Sequence, residues 1–90
     1  MTRTARQSKK TSRILIVEDE RKISALIRKG LEEERYAVEE AFDGEYGEQA
    51  VMSGRYDLVV LDIMLPKKDG LAILASMRTA GVDTPVLMLT

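Results

Sequence analysis

The sequence predicts an α/β fold: a parallel, doubly wound sheet of four strands and three helices in the order β-α-β-α-β-α-β. Three observations predict it. The runs Ile14-Leu15-Ile16-Val17, Leu58-Val59-Val60-Leu61 and Val86-Leu87-Met88-Leu89 are continuously apolar, as strands buried on both faces are. Between them lie stretches whose apolar residues recur at helical spacing. Two of the runs stop on acids, at Glu18-Asp19 and at Asp62. The carboxyl edge of an open α/β sheet is where ligands collect.

The first strand opens at Arg13 and ends at Glu18-Asp19-Glu20, where Asp19 can accept from the free amides of the next helix. That helix is expected from Glu20 to about Arg35. Ile23, Leu26, Ile27 and Leu31 form its buried stripe, and Gly30 is read as a point of close approach to the sheet. Tyr36 to Phe42 has mixed sides and reads as an edge strand ended by Asp43-Gly44. A second helix spans Glu45 to Ser53, with Tyr46, Ala50 and Val51 inward and Gly54 as its stop. The third strand is Tyr56 to Asp62. A charged loop through Pro66, Lys67, Lys68 and Asp69 leads to Gly70. A third helix runs from about Leu71 to Thr79 with Leu71, Leu74 and Met77 inward, and Gly81 ends it. Pro85 to Thr90 is the fourth strand.

Ninety residues make one domain at most. The chain has no Cys and no His, which excludes thiolate and imidazole chemistry and the usual zinc sets. A metal site here is therefore built from oxygen, which suits Mg²⁺. The net charge of −1 is uneven: residues 1–13 carry Arg3, Arg6, Lys9, Lys10 and Arg13 and no acid. The domain is expected over residues 13–90, after a basic, disordered tail at 1–12. No run is long enough to be a secretory signal or a membrane span, so a cytoplasmic location is expected.

If the first and third strands are neighbours, Glu18, Asp19 and Asp62 converge at one sheet edge. Like charges that close repel, and a divalent cation offsets the repulsion while leaving room for a phosphoryl oxygen. The plainer alternative is that each acid merely ends a strand or caps a helix in water.

The chain resembles the receiver domain of two-component response regulators. The resemblance rests on Ile14-Leu15-Ile16-Val17-Glu18-Asp19-Glu20, on Leu61-Asp62-Ile63-Met64-Leu65-Pro66 with Asp69-Gly70, and on Pro85-Val86-Leu87-Met88-Leu89-Thr90. Met-Leu-Pro and Asp-Gly look most like the OmpR/PhoB branch, whose members carry a DNA-binding winged helix. The resemblance implies the flavodoxin-like receiver fold and a set of roles. Asp62 is the phosphoacceptor for a sensor histidine kinase. Asp19 binds Mg²⁺ directly, Glu18 acts through a metal-bound water, and Met64 offers its backbone carbonyl. Thr90 is the switch hydroxyl. Pro66 and Gly70 shape the loop, Lys67 and Lys68 are solvated with a field that attracts a phosphodonor, and DNA contact belongs to an effector domain.

A full receiver has five strands and five helices in the sheet order 2-1-3-4-5. Here the fold is expected to be incomplete, truncated after the fourth strand. The fifth strand with its catalytic Lys and the last two helices are absent from the sequence. Two expectations follow: Pro85 to Thr90 becomes an exposed apolar edge through which the chain self-associates, and phosphorylation is impaired while Mg²⁺ binding survives. The leading reading is a phosphorelay receiver module rather than an enzyme. One alternative is a non-signalling half-domain that assembles through its fourth strand. The other is a Mg²⁺-dependent aspartyl-phosphate phosphatase, disfavoured because a second acid is wanted at the position of Met64.

Overall fold

The computed structural model describes residues 11–89, so most of the expected basic tail, and Thr90, lie outside the described residues. The elements alternate without interruption: β1 (Arg13–Val17), α1 (Arg21–Glu33), β2 (Ala37–Ala41), α2 (Gly44–Met52), β3 (Leu58–Asp62), α3 (Gly70–Thr79) and β4 (Val86–Leu89). All strand pairs are parallel, and the sheet order is β2-β1-β3-β4. This is the doubly wound, flavodoxin-like arrangement expected from the sequence.

Strand residues point alternately to the two faces of the sheet, so each continuous apolar run feeds two cores. Leu15, Val17, Val59 and Leu61 face α2 and α3, where they pack with Val51, Ile73 and Met77. Ile14, Ile16 and Val60 face the other way and meet Ile27 and Leu31 of α1. Tyr56 lies just before β3 rather than in it, buried, with its hydroxyl donating to Glu39 of β2.

Several sequence expectations about packing need correction. In α1 only Ile27 and Leu31 turn to the sheet; Ile23 is 45% and Leu26 72% exposed. Ser24 is fully buried instead, and its hydroxyl donates to Glu40 of β2 at 2.7 Å. At 100° per residue, Ile23 and Leu26 lie on the flank away from Ser24 and hence from β2. Periodicity showed that the apolar residues share a side, but α1 sits over β1 and β2 and meets the sheet with the other edge of that side. Gly30 is exposed with open space around it, so it permits no close approach. Tyr46 and Leu71 are exposed; the buried side of α2 is Gly44, Gly47, Ala50 and Val51, and that of α3 is Gly70, Ile73 and Met77. In both helices the first inward position is a glycine, because the helix starts pressed against other backbone.

These burial differences set the expected response to truncation. Leu61→Ala removes a fully buried side chain of the central strand β3, packed against α2 and α3, and should cost about 3 kcal/mol. Leu26→Ala, on the uncovered flank of α1, should stay within about 0.5 kcal/mol of the parent protein. Urea denaturation of the two variants measures the contrast.

Candidate functional site

β1 and β3 are adjacent, with Val17 opposite Leu61. Carrying that register one residue further sets Glu18 beside Asp62, both at the carboxyl edge. Glu18 extends the sheet by donating its N–H to the Ala41 carbonyl at 3.0 Å. One carboxylate oxygen from each of Glu18, Asp19 and Asp62 lies within 4.8 Å of the other two. The convergence expected from the sequence is therefore present. Glu18 is buried, Asp62 half-buried and Asp19 exposed.

Burial is the main cause that pushes the Glu18 carboxyl above its ordinary range. The neighbouring charges of Asp62 and Asp19 add to it, and a hydrogen bond from the Glu20 N–H to Glu18 Oε2, 2.9 Å long, opposes it. That hydrogen bond corrects one expectation. The residue preceding α1 is Glu20, whose side chain makes no cap; it is Glu18, not Asp19, that takes a free amide at the helix start. The Asp19 carboxylate is left to the acidic cluster.

Asp62 Oδ1 accepts from the Met64 N–H at 3.1 Å, which ties the acid to the loop that follows it. The Met64 side chain is 76% exposed, so the residue meets the site through its backbone. Gly70 shapes the far end of that loop by close approach: a Cβ there would lie 2.2 Å from the Asp62 carbonyl oxygen, and its N–H donates to the Ile63 carbonyl at 2.8 Å. Asp69 caps α3 through the Ala72 N–H at 2.9 Å. The Pro66 ring is exposed, and its carbonyl accepts two N–H groups, from Gly44 at 3.1 Å and from Lys68 at 2.8 Å. A cleft of about 650 Å³ opens between Asp19, Met64, Pro66, Asp69 and Leu71, large enough for a phosphorylated ligand group.

Lys67 is exposed, as expected, but Lys68 is half-buried and paired rather than solvated. Lys68 pairs with Glu48 at 2.9 Å, and Lys67 lies 3.9 Å from both Asp43 and Glu45. This attachment was missed because Asp43-Gly44 read only as the end of a strand; it is also the start of α2, with Asp43 Oδ1 accepting the Tyr46 N–H at 2.9 Å. The Asp-Gly pair before a helical stretch was the available signal.

The donor set is three carboxylates in a chain without His or Cys. Hard oxygen donors, a carboxyl raised by burial and by its acidic neighbours, and an adjacent open cleft fit a hard divalent cation such as Mg²⁺. Glu18, Asp19 and Asp62 are the side chains that would hold it.

Residues 14–90 match the family model described as the response regulator receiver domain. The transcriptional regulatory protein DltR of Streptococcus agalactiae is 49% identical over 78 residues, covering 87% of this chain and 35% of DltR. TcrA of Mycobacterium tuberculosis, also a transcriptional regulatory protein, is 51% identical over 78 residues, covering 87% of this chain and 31% of TcrA. This chain thus spans about a third of the length of these curated relatives. Among solved structures, a Francisella response regulator receiver domain superposes with a TM-score of 0.83 at 31% identity, over 87% of this chain and 64% of that one. The Thermotoga maritima response regulator TrrA, solved with Mg²⁺ and BeF, also gives 0.83, at 39% identity over 89% and 70% of the two chains.

Repulsion at the acidic edge makes a direct prediction. Glu18→Gln keeps an oxygen for the Glu20 N–H and removes one buried charge. Without divalent cations it should stabilise the protein by about 1 kcal/mol, a rise of roughly 4–8 °C in melting temperature. With Mg²⁺ the gain should shrink, since the variant has lost a ligand charge. Thermal melts with EDTA and with Mg²⁺ read both effects.

Proposed function

This chain belongs to the response regulator receiver domain family, and on that premise we propose that it takes a phosphoryl group on Asp62 from the phosphohistidine of a sensor kinase. A carboxylate oxygen of Asp62 attacks phosphorus. The phosphorus–nitrogen bond breaks, its electron pair returns to the imidazole nitrogen, and an acyl phosphate remains on Asp62. The observation that carries this reading is the convergence of Glu18, Asp19 and Asp62 within 4.8 Å at the carboxyl edge of a parallel sheet.

The parts we propose are these. Oδ1 of Asp62 is held by the Met64 N–H, so we assign the attack to Oδ2. Asp19 and Asp62 would hold Mg²⁺ directly with the Met64 backbone carbonyl, and Glu18 would act through a metal-bound water. Bound Mg²⁺ would neutralise charge shared by the carboxylates and the phosphoryl oxygens. Thr90, outside the described residues, keeps the switch-hydroxyl role that the resemblance implies. Met64 stands where a hydrolytic enzyme would want a second acid, which supports a signalling module rather than a turnover enzyme. Both named relatives are transcriptional regulatory proteins. The output we propose is transcriptional, in the cytoplasm, with DNA contact made by an effector region distinct from the receiver.

A second reading concerns assembly. β4 is the edge of the described sheet, and Leu87 on it is 55% exposed. An apolar edge of this kind pairs readily with another strand, and we propose that a second copy of this chain docks along β4.

Each reading has its own measurement. Acetyl phosphate should add one phosphoryl group, mapped by mass spectrometry to Asp62, only when Mg²⁺ is present; Asp62→Asn should stay unlabelled. Equal labelling in EDTA or in the Asn variant would overturn the assignment. For assembly, light scattering should find a concentration-dependent dimer that Leu87→Lys converts to monomer. A monomer at every concentration, with a cooperative melt, would rule out the β4 interface.

A further inference from the structure

The loop that bears the Met64 N–H does not set its own shape. Lys67 is a non-glycine residue at φ 73, in the centre of a three-residue turn closed by the Lys68 N–H on the Pro66 carbonyl at 2.8 Å. A γ-turn with a positive central φ is the rarer, strained form. Such conformations persist where the surroundings over-determine them.

The surroundings here are the first turns of α2. The Gly44 N–H donates to the same Pro66 carbonyl at 3.1 Å. Gly44 is buried against the loop backbone, and a Cβ on it would sit 2.0 Å from the Lys68 carbonyl oxygen, well inside contact distance. Side chains repeat the attachment. Lys68 Nζ lies 2.9 Å from Glu48 Oε2, with the two side chains 34% and 27% exposed. The Lys68 hydrogen bond is the main cause that holds the Glu48 carboxyl below its ordinary range. Lys67 adds weaker contacts to Asp43 and Glu45.

We propose that Gly44 and the Lys68–Glu48 ion pair are positioning residues for Asp62: they seat the loop after β3 on α2, so that the Met64 N–H orients the Asp62 carboxylate. None of the three touches Asp62, and each acts through the loop backbone. The inference rests on Asp62 being the reactive carboxylate, but its test is separable from that reading.

The test uses the full chain and two NMR measurements. One is the hydrogen exchange of the Met64 amide, which reports its bond to Asp62. The other is the Mg²⁺ dependence of the Met64 and Asp62 amide shifts. Lys68→Gln and Glu48→Gln should each speed Met64 exchange and weaken Mg²⁺ binding by about twofold to fivefold, as expected for a partly exposed ion pair. Exchange of Leu15, deep in the sheet, should not change. The charge-swapped double variant, Lys68→Glu with Glu48→Lys, should restore both values. Gly44→Ala, which must displace the loop, should have a larger effect, and if it fails to fold the ion-pair variants decide. Unchanged Met64 exchange, exchange that rises in step with Leu15, or a swapped pair that restores nothing would overturn the proposal. If the parent protein neither responds to Mg²⁺ nor labels at Asp62, the phosphoacceptor reading fails, and Met64 exchange still decides whether the pair positions the loop.

Discussion

The parallel register of β1 against β3 is the constraint from which the rest of the site follows. With Val17 opposite Leu61, the two strands deliver Glu18 and Asp62 to the same edge at the same level. Both faces of these strands are buried, one against α2 and α3 and the other against α1. A slip of β3 by one residue would turn Val59 and Leu61 towards α1 and Val60 towards α2 and α3, so the side-chain packing of both cores opposes it. The same packing brings three carboxylates together against their mutual repulsion. Hydrophobic burial across the sheet opposes an electrostatic cost concentrated at one edge. Burial first, and then the charges of Asp62 and Asp19, raise the Glu18 carboxyl, and a bound cation would relieve the repulsion.

The other half of the site is a loop whose geometry is borrowed. Gly70 presses on the Asp62 backbone from the start of α3, and Gly44 presses on Lys68 from the start of α2. Between these two points the chain adopts a positive φ at Lys67. Each helix therefore begins where it supports the loop, and each begins with a glycine because backbone there meets backbone. Lys68 strengthens the attachment to α2 through its 2.9 Å pair with Glu48.

The two faces of the sheet are covered unequally. α2 and α3 together enclose Ile73, Met77 and Val51 over one face. On the other, α1 alone lies over β1 and β2, and Ile23, Leu26 and Leu87 remain exposed. The same apolar strand runs serve both faces, so the difference comes from where the helices sit and not from the strands.

The alternation of strands and helices and the acids at two strand ends could be read directly from the residues, whereas the neighbouring of β1 and β3 came from the resemblance and the structure. Short continuous apolar runs bounded by turn signals read as strands buried on both faces, and acids at the ends of parallel strands must gather at one edge once those strands pair. These are consequences of backbone geometry and local pattern, which the sequence by itself determines. It also located Gly70 and Pro66 in the loop, though not that Gly70 is required by a close approach rather than by its own φ. Tertiary structure alone decided which apolar residues of α1 are covered, that Glu18 rather than Asp19 takes the Glu20 amide, and that Lys68 is paired with Glu48 of α2. Each of these depends on how far one element lies from another and at what angle. A one-dimensional pattern says which residues share a side; only packing in three dimensions says what that side meets.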